Sequence, residues 1–178
     1  LKGFGIADLN EGIIAAGAVL YYLSETQHNK LDHISVINRI SEDNYVWMDR
    51  FTIRNLELYH STSVNAVTLL DVIDKTISPM GGRLLKRWLA LPLKDINRIK
   101  KRHDIVKYLI DNDDFLELST YQIKQISDIE RLVSKVATGK VNPREVVLLK
   151  NSLNAIIPIK EAAEKGDNES LKIIGEQL

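Results

Sequence analysis

Apolar residues along most of this chain recur at steps of three and four, the spacing that predicts helices with one buried stripe. Leu9, Ile13, Ala16, Leu20 and Leu23 form the first stripe, and Asp8 with Glu11 three residues on supplies a capping-box start. Gly17 inside that helix suggests close packing against a neighbour. The periodicity ends near Gln27, and the polar stretch from His28 to His33 reads as a linker. A boundary falls there, separating residues 1–30 from residues 31–178. Val36 to Ile40 and Tyr45 to Met48 are β-branched or aromatic runs divided by four polar residues, a pattern that predicts a short hairpin.

Beyond the hairpin every signal is helical. Short helices are predicted over Asn55–Tyr59 and Val64–Lys75, the second with Val67, Leu70 and Ile73 on one side. Ser78 and Pro79 together make a strong helix start, and Pro92 blocks continuation of that helix. Asp95 caps a helix whose Ile96, Ile99, Val106 and Ile110 define an apolar seam, with His103 semi-buried on it. Phe115 opens a further helix as a core residue. Ile126, Ile129, Leu132, Val133 and Val136 are predicted to pack before a stop at Gly139. Asn142 and Pro143 start a helix with Val146, Leu149, Leu153 and Ile156 inward, and Pro158 is expected to break or sharply kink it. The remainder, divided again at Gly166-Asp167-Asn168, is expected to be the least stable part, with partners for Ile173 and Ile174 missing. The predicted fold is mainly α: a multi-helical core domain with a short β-hairpin near its start.

Composition narrows the function. The 178 residues carry 44% hydrophobic residues, enough for one sizeable core. Lys plus Arg equal Asp plus Glu at 24 each, so no whole-chain field points to nucleic acid. With no cysteine, disulfides, thiolate catalysis and Cys-type zinc sites are excluded. No apolar run approaches a membrane span. The four histidines, His28, His33, His60 and His103, lack metal-ligand spacing. Met80-Gly81-Gly82-Arg83 is too short for a phosphate loop and no Lys-Ser or Lys-Thr comes after it, so its glycines are assigned to close packing. No catalytic, cofactor or metal site is predicted. One local feature stands out: Arg83, Lys86, Arg87, Lys94, Arg98, Lys100, Lys101 and Arg102 against the single acid Asp95. Such a cluster can neutralise DNA phosphates, with Arg83, Lys86, Arg87, Arg98, Lys101 and Arg102 as the candidate contacts. The plainer reading, which the charge balance favours, is two solvated helix faces offset by Asp111, Asp113, Asp114 and Glu117.

Several segments together resemble one family. Tyr45-Val46-Trp47-Met48-Asp49 with Thr52-Ile53-Arg54-Asn55-Leu56-Glu57-Leu58 comes first, then Leu70-Asp71-Val72-Ile73-Asp74-Lys75-Thr76 leading into Pro79 to Leu89. Pro92-Leu93, Ile99, Arg102, Asp104 and Val106 continue the series, and Asp128-Ile129-Glu130-Arg131-Leu132 and Asn142-Pro143-Arg144-Glu145 complete it. Their order and spacing resemble the core domain of MutS-type DNA mismatch repair proteins. Gly3-Phe4-Gly5-Ile6 and Ala16 to Leu23 look like the end of that family's connector domain. Ile77-Ser78 and the glycine-free Ser63 to Thr68 depart from the family pattern.

The resemblance implies a non-catalytic segment that joins a mismatch-reading module and a DNA clamp to an ATPase, all three outside these residues. Residues 1–30 would be connector tail and linker, residues 31–178 the core before the clamp. Phe115-Leu116-Glu117 matches the family's Phe-x-Glu reader in letters only, because that motif belongs to an N-terminal module. Asp49 is placed to cap a helix, Arg54 and Glu57 to pair or to anchor neighbouring turns, and Arg131 to serve the same structural role. For the parent the resemblance implies a cytoplasmic DNA-dependent ATPase using ATP and Mg, a dimer acting on mismatched double-stranded DNA with a MutL-type partner. The alternative is a freestanding helical adaptor that binds a partner helix or nucleic acid through its basic 83–102 face.

Overall fold

Local caps decide where most helices begin. The computed structural model describes residues 9–26, 31, 34–37, 42–61, 63 and 66–178. After α1 (Asn10–Glu25) and a 3-10 turn at Glu42–Asn44 come α2 (Arg50–Asn55), α3 (Leu69–Ile73) and α4 (Pro79–Ala90). The chain then runs through α5 (Ile96–Asp111), α6 (Asp113–Gln125), α7 (Ile129–Ala137), α8 (Pro143–Lys165) and α9 (Glu169–Gln177). Asp49, Ser78, Asp95, Asp128 and Asn168 each accept from a first-turn backbone N–H. Thr68 with Asp71, and Asn142 with Glu145, form complete capping boxes. α7 stops as a Schellman motif: Gly139 takes φ 69° while Lys140 N–H donates to the Lys135 carbonyl at 2.9 Å.

α8 is the central element, with α6, α7 and α9 laid against it, and α5 packs on both α6 and α9. Phe115, Ala163 and Leu171 form the buried cluster, and Ile105, Tyr108, Leu109 and Ala162 pack around it. Tyr108 meets Phe115 edge-on, with ring centroids 5.8 Å apart at 71°. α9 approaches α8 closely at Gly175: a Cβ there would stand 3.1 Å from the Ala163 Cβ and 3.3 Å from the Glu164 backbone nitrogen. At the α8–α9 turn, a Cβ on Gly166 would stand 2.8 Å from the Tyr108 hydroxyl.

Several expectations need correction. There is no strand among the described residues, so the hairpin is not supported. Of its first arm only Val36 and Ile37 are described, and they are irregular, while Tyr45 forms a single antiparallel bridge with Leu93 instead. The helix expected over Asn55–Tyr59 lies earlier, because the Asp49 cap fixes its start at Arg50. The helix expected over Val64–Lys75 shrinks to Leu69–Ile73, set by the Thr68 box, and only Leu70 on it is buried. Gly17 faces open space, with nothing within 4 Å of a would-be Cβ. The Asp8 cap and most of the 28–33 linker lie outside the described residues.

The largest correction concerns α8 and α9. Pro158 sits inside α8, which continues to Lys165, so Pro158 is no break. Tertiary packing of α6, α7 and α9 on α8 stands against the roughly 3 kcal/mol that an interior proline costs. α9 supplies Leu171 to the core, while Ile173 and Ile174, expected to lack partners, stay exposed. The inward positions of α8 are Ser152, Ala155 and Ala163, while Val146 and Leu153 face out. On α7 only Leu132 is buried, and Val133 and Val136 are exposed. On α5, Ile105, Tyr108 and Leu109 touch the core, leaving Ile96, Val106, Ile110 and His103 exposed.

Candidate functional site

Three helix starts converge in one polar seam. The Ser78 cap and Pro79 set the first turn of α4, which places Arg83 one turn in. Asp128 caps α7, with Glu130 in the same turn. Arg83 spans the 45 to 47 residues between them with four hydrogen bonds. Its Nη1 and Nη2 donate to the two Asp128 oxygens at 2.8 and 2.7 Å, and Nε and Nη2 donate to Glu130 Oε2 at 2.9 and 2.6 Å. This bidentate fork is the geometry for which guanidinium is suited and ammonium is not. The Arg83 hydrogen bonds hold the Asp128 carboxyl below the usual aspartate range, aided by the Arg131 backbone N–H and charge. The same acids push the Arg83 guanidinium further up.

The seam continues toward α8. Glu145, the third residue of the α8 capping box, accepts from the Lys135 ammonium, and that contact leads the causes lowering its pKa. Arg131 lies between the two acids and contributes to lowering both. Ser127, Asp128, Arg131, Leu132, Lys135, Glu145 and Leu148 line a cleft of about 190 Å³ between α7 and α8. Carboxylates at the starts of α7 and α8 also complement the helix dipoles. Beneath the seam Ser152, fully buried, accepts from the Ser127 backbone N–H at 2.9 Å and donates to the Leu148 carbonyl at 2.8 Å. That fixes the α6–α7 connection on α8.

The remaining residues singled out in the sequence fall in separate places. Asp49 accepts from Thr52 N–H at 2.6 Å, which lowers its pKa. Arg54 lies in the last turn of α2, whereas Glu57 lies beyond it at φ 48° and accepts from the Ser61 hydroxyl at 2.7 Å. Arg102 stacks on Trp88 with its guanidinium carbon 3.6 Å from the ring centroid, joining α5 to α4. Burial is the main cause lowering the Arg102 pKa. Lys86, Arg87, Arg98 and Lys101 surround that stack in sequence, so the six candidate contacts divide into two engaged arginines and four other cations. The acids that hold Arg83 are Asp128 and Glu130, not those at 111–117. Among the described residues no group of three or more acids and histidines is placed to hold a metal ion, and no helix is long and apolar enough to cross a membrane.

Sequence reasoning missed the Arg83 fork and Ser152. Asp128 and Arg131 were visible as one motif, but nothing local announces a partner 45 residues away. Ser152 was visible only as a small polar residue one step off a supposed apolar stripe.

The fold and the seam together define an all-α structural module whose helix starts are tied by ion pairs. The family model of MutS domain III matches residues 51–176, and the chain belongs to that family. Over all 178 residues it is 70% identical to the DNA mismatch repair protein MutS of Flavobacterium johnsoniae and 71% to that of Christiangramia forsetii. The MutS protein of Bacteroides fragilis is 54% identical over the same span. The chain spans about a fifth of the length of these relatives, 20–21% of each.

Proposed function

We propose that this segment is the structural link through which a longer MutS-type protein couples mismatch reading and DNA clamping to ATP hydrolysis. The observation that carries it is the polar seam at Arg83, which ties the starts of α4 and α7 across 45 residues of chain. The bidentate guanidinium–carboxylate fork adds geometric specificity to that tie, fixing the orientation of the two helix starts as well as their distance. Arg131 and the α8 start extend the same tie, and Asp49, Arg54 and Glu57 anchor the entry at α2. Residues 1–30 fit the connector tail, residues 31–178 the core. The parent's properties belong to the same proposal: a cytoplasmic dimer that hydrolyses ATP with Mg, binds mismatched DNA and works with a MutL-type partner.

Contact with the DNA backbone by this segment is a secondary part of the reading. Arg83 is held by two carboxylates and Arg102 by Trp88, so Lys86, Arg87, Arg98 and Lys101 are the better phosphate partners. The test of the main reading is Arg83→Gln in the parent-length protein. Basal ATPase and mismatch affinity should persist while the stimulation of ATPase by mismatched DNA falls several-fold. Stimulation unchanged from wild type would overturn the linking role of the seam.

A further inference from the structure

α5 carries two apolar faces, and the structure uses only one. Ile105, Tyr108 and Leu109 pack on the core, whereas Ile96, Val106 and Ile110 are 62%, 54% and 70% exposed. At roughly 100° per residue, the two faces are centred about 140° apart. The exposed set, with the half-buried Ile99 and with His103, runs in steps of 3-4-3-4 from residue 96 to residue 110, the register of a helix–helix seam. A helix apolar on opposite sides is the inner element of two layers, and only one layer is present among the described residues.

We infer that the Ile96–Ile99–Val106–Ile110 face of α5 is covered in the parent polypeptide by a helix with acidic flanks, drawn from outside these 178 residues. This rests on the linking role proposed above and names the surface through which the link is made. Length supplies the source: about four-fifths of each relative lies outside the matched span, which covers 20–21% of it. Charge supplies the chemistry. Lys100 and Lys107 flank the seam on one side, and Arg102, stacked on Trp88, flanks it on the other. The acids Asp104 and Asp111 lie one position further round the helix. A second copy of α5 would set these cations against each other, which disfavours self-pairing. An incoming helix with Glu or Asp at its flanking positions meets them with opposite charge.

The absence of cysteine makes the face directly measurable. Val106→Cys and Ile110→Cys are made in the 178-residue chain and in the parent-length protein, and N-ethylmaleimide labelling is read by peptide mass spectrometry against the rate in denaturant. In the short chain both thiols should label near the denatured rate. In the parent they should label at least about tenfold more slowly. Adding Lys100→Glu and Lys107→Glu should restore labelling in the parent and leave the short chain unchanged. Equal rates in the two proteins overturn the inference. Protection that survives the charge reversal overturns the acidic assignment. Protection of the short chain that grows with its concentration identifies a second copy and also overturns it. These readouts are independent of ATPase coupling, so either reading can fail while the other stands.

Discussion

Ser152→Ala removes one oxygen from a side chain that is fully buried, and its effect can be worked through group by group. The hydroxyl is the acceptor for the Ser127 N–H at 2.9 Å and a second donor to the Leu148 carbonyl. That carbonyl keeps its place in the α8 ladder, so its loss is minor. The Ser127 N–H has no helical partner, because it lies in the connection between α6 and α7. Leaving a buried donor unmet costs about 1–3 kcal/mol. Alanine in a helix interior returns at most about 0.5 kcal/mol relative to serine. The net expectation is a loss of about 0.5–2.5 kcal/mol, or a Tm lower by about 1–10 °C for a domain of this size. Denaturant melts should show a lower midpoint at unchanged slope. A variant as stable as the wild type would mean that water reaches Ser127 and that the buried hydroxyl does not hold the connection.

The seam and the core lead to further outcomes. The folded-state pKa of Asp128 is depressed, so its contribution to stability is present above the unfolded aspartate value and is lost as pH falls through the lower folded value. Asp128→Asn should therefore lower the midpoint in neutral melts and converge with the wild type in acid; a constant difference down to acid pH would show that the Arg83 fork is not the cause. Leu132→Ala should cost on the order of 2–5 kcal/mol, whereas Leu153→Ala, at a side chain 51% exposed, should cost less than about 1 kcal/mol. A similar loss at both sites would place Leu153 inside a contact that this structure does not contain.

What could be read in the sequence is what short-range physics decides. The starts at Ser78, Asp95 and Asn142 were legible because a cap and the N–H it serves are only two or three residues apart. The stop at Gly139 was legible for the same reason. Leu132 was legible as core because its neighbours repeat the helical period, and Phe115 as a large apolar residue at a helix start. Periodicity failed where a helix has two apolar faces: on α5 it selected the exposed one, since nothing local says which face meets the core. Pro158 misled because the penalty of an interior proline is local while the packing that offsets it is tertiary. The hairpin misled because Tyr45 found Leu93, 48 positions on, rather than the preceding run. Of the seam, the motif around Asp128 was visible, and the role of Arg83 as its clamp was not.

The contact between Gly175 and Ala163 narrows the sequences this domain can explore. Any residue other than glycine at 175 adds a carbon within 3.1 Å of the Ala163 Cβ and 3.3 Å of the Glu164 backbone nitrogen. Shrinking position 163 to glycine relieves the first close contact but not the second, which is to backbone. A larger residue at 175 therefore asks α8 and α9 to separate by a few tenths of an ångström, whatever stands at 163. Such a shift is also felt at Leu171 and at the turn at Gly166, where α9 is tied to the core. Sequence change in the last helix is least constrained at its outward residues, among them Ile173 and Ile174.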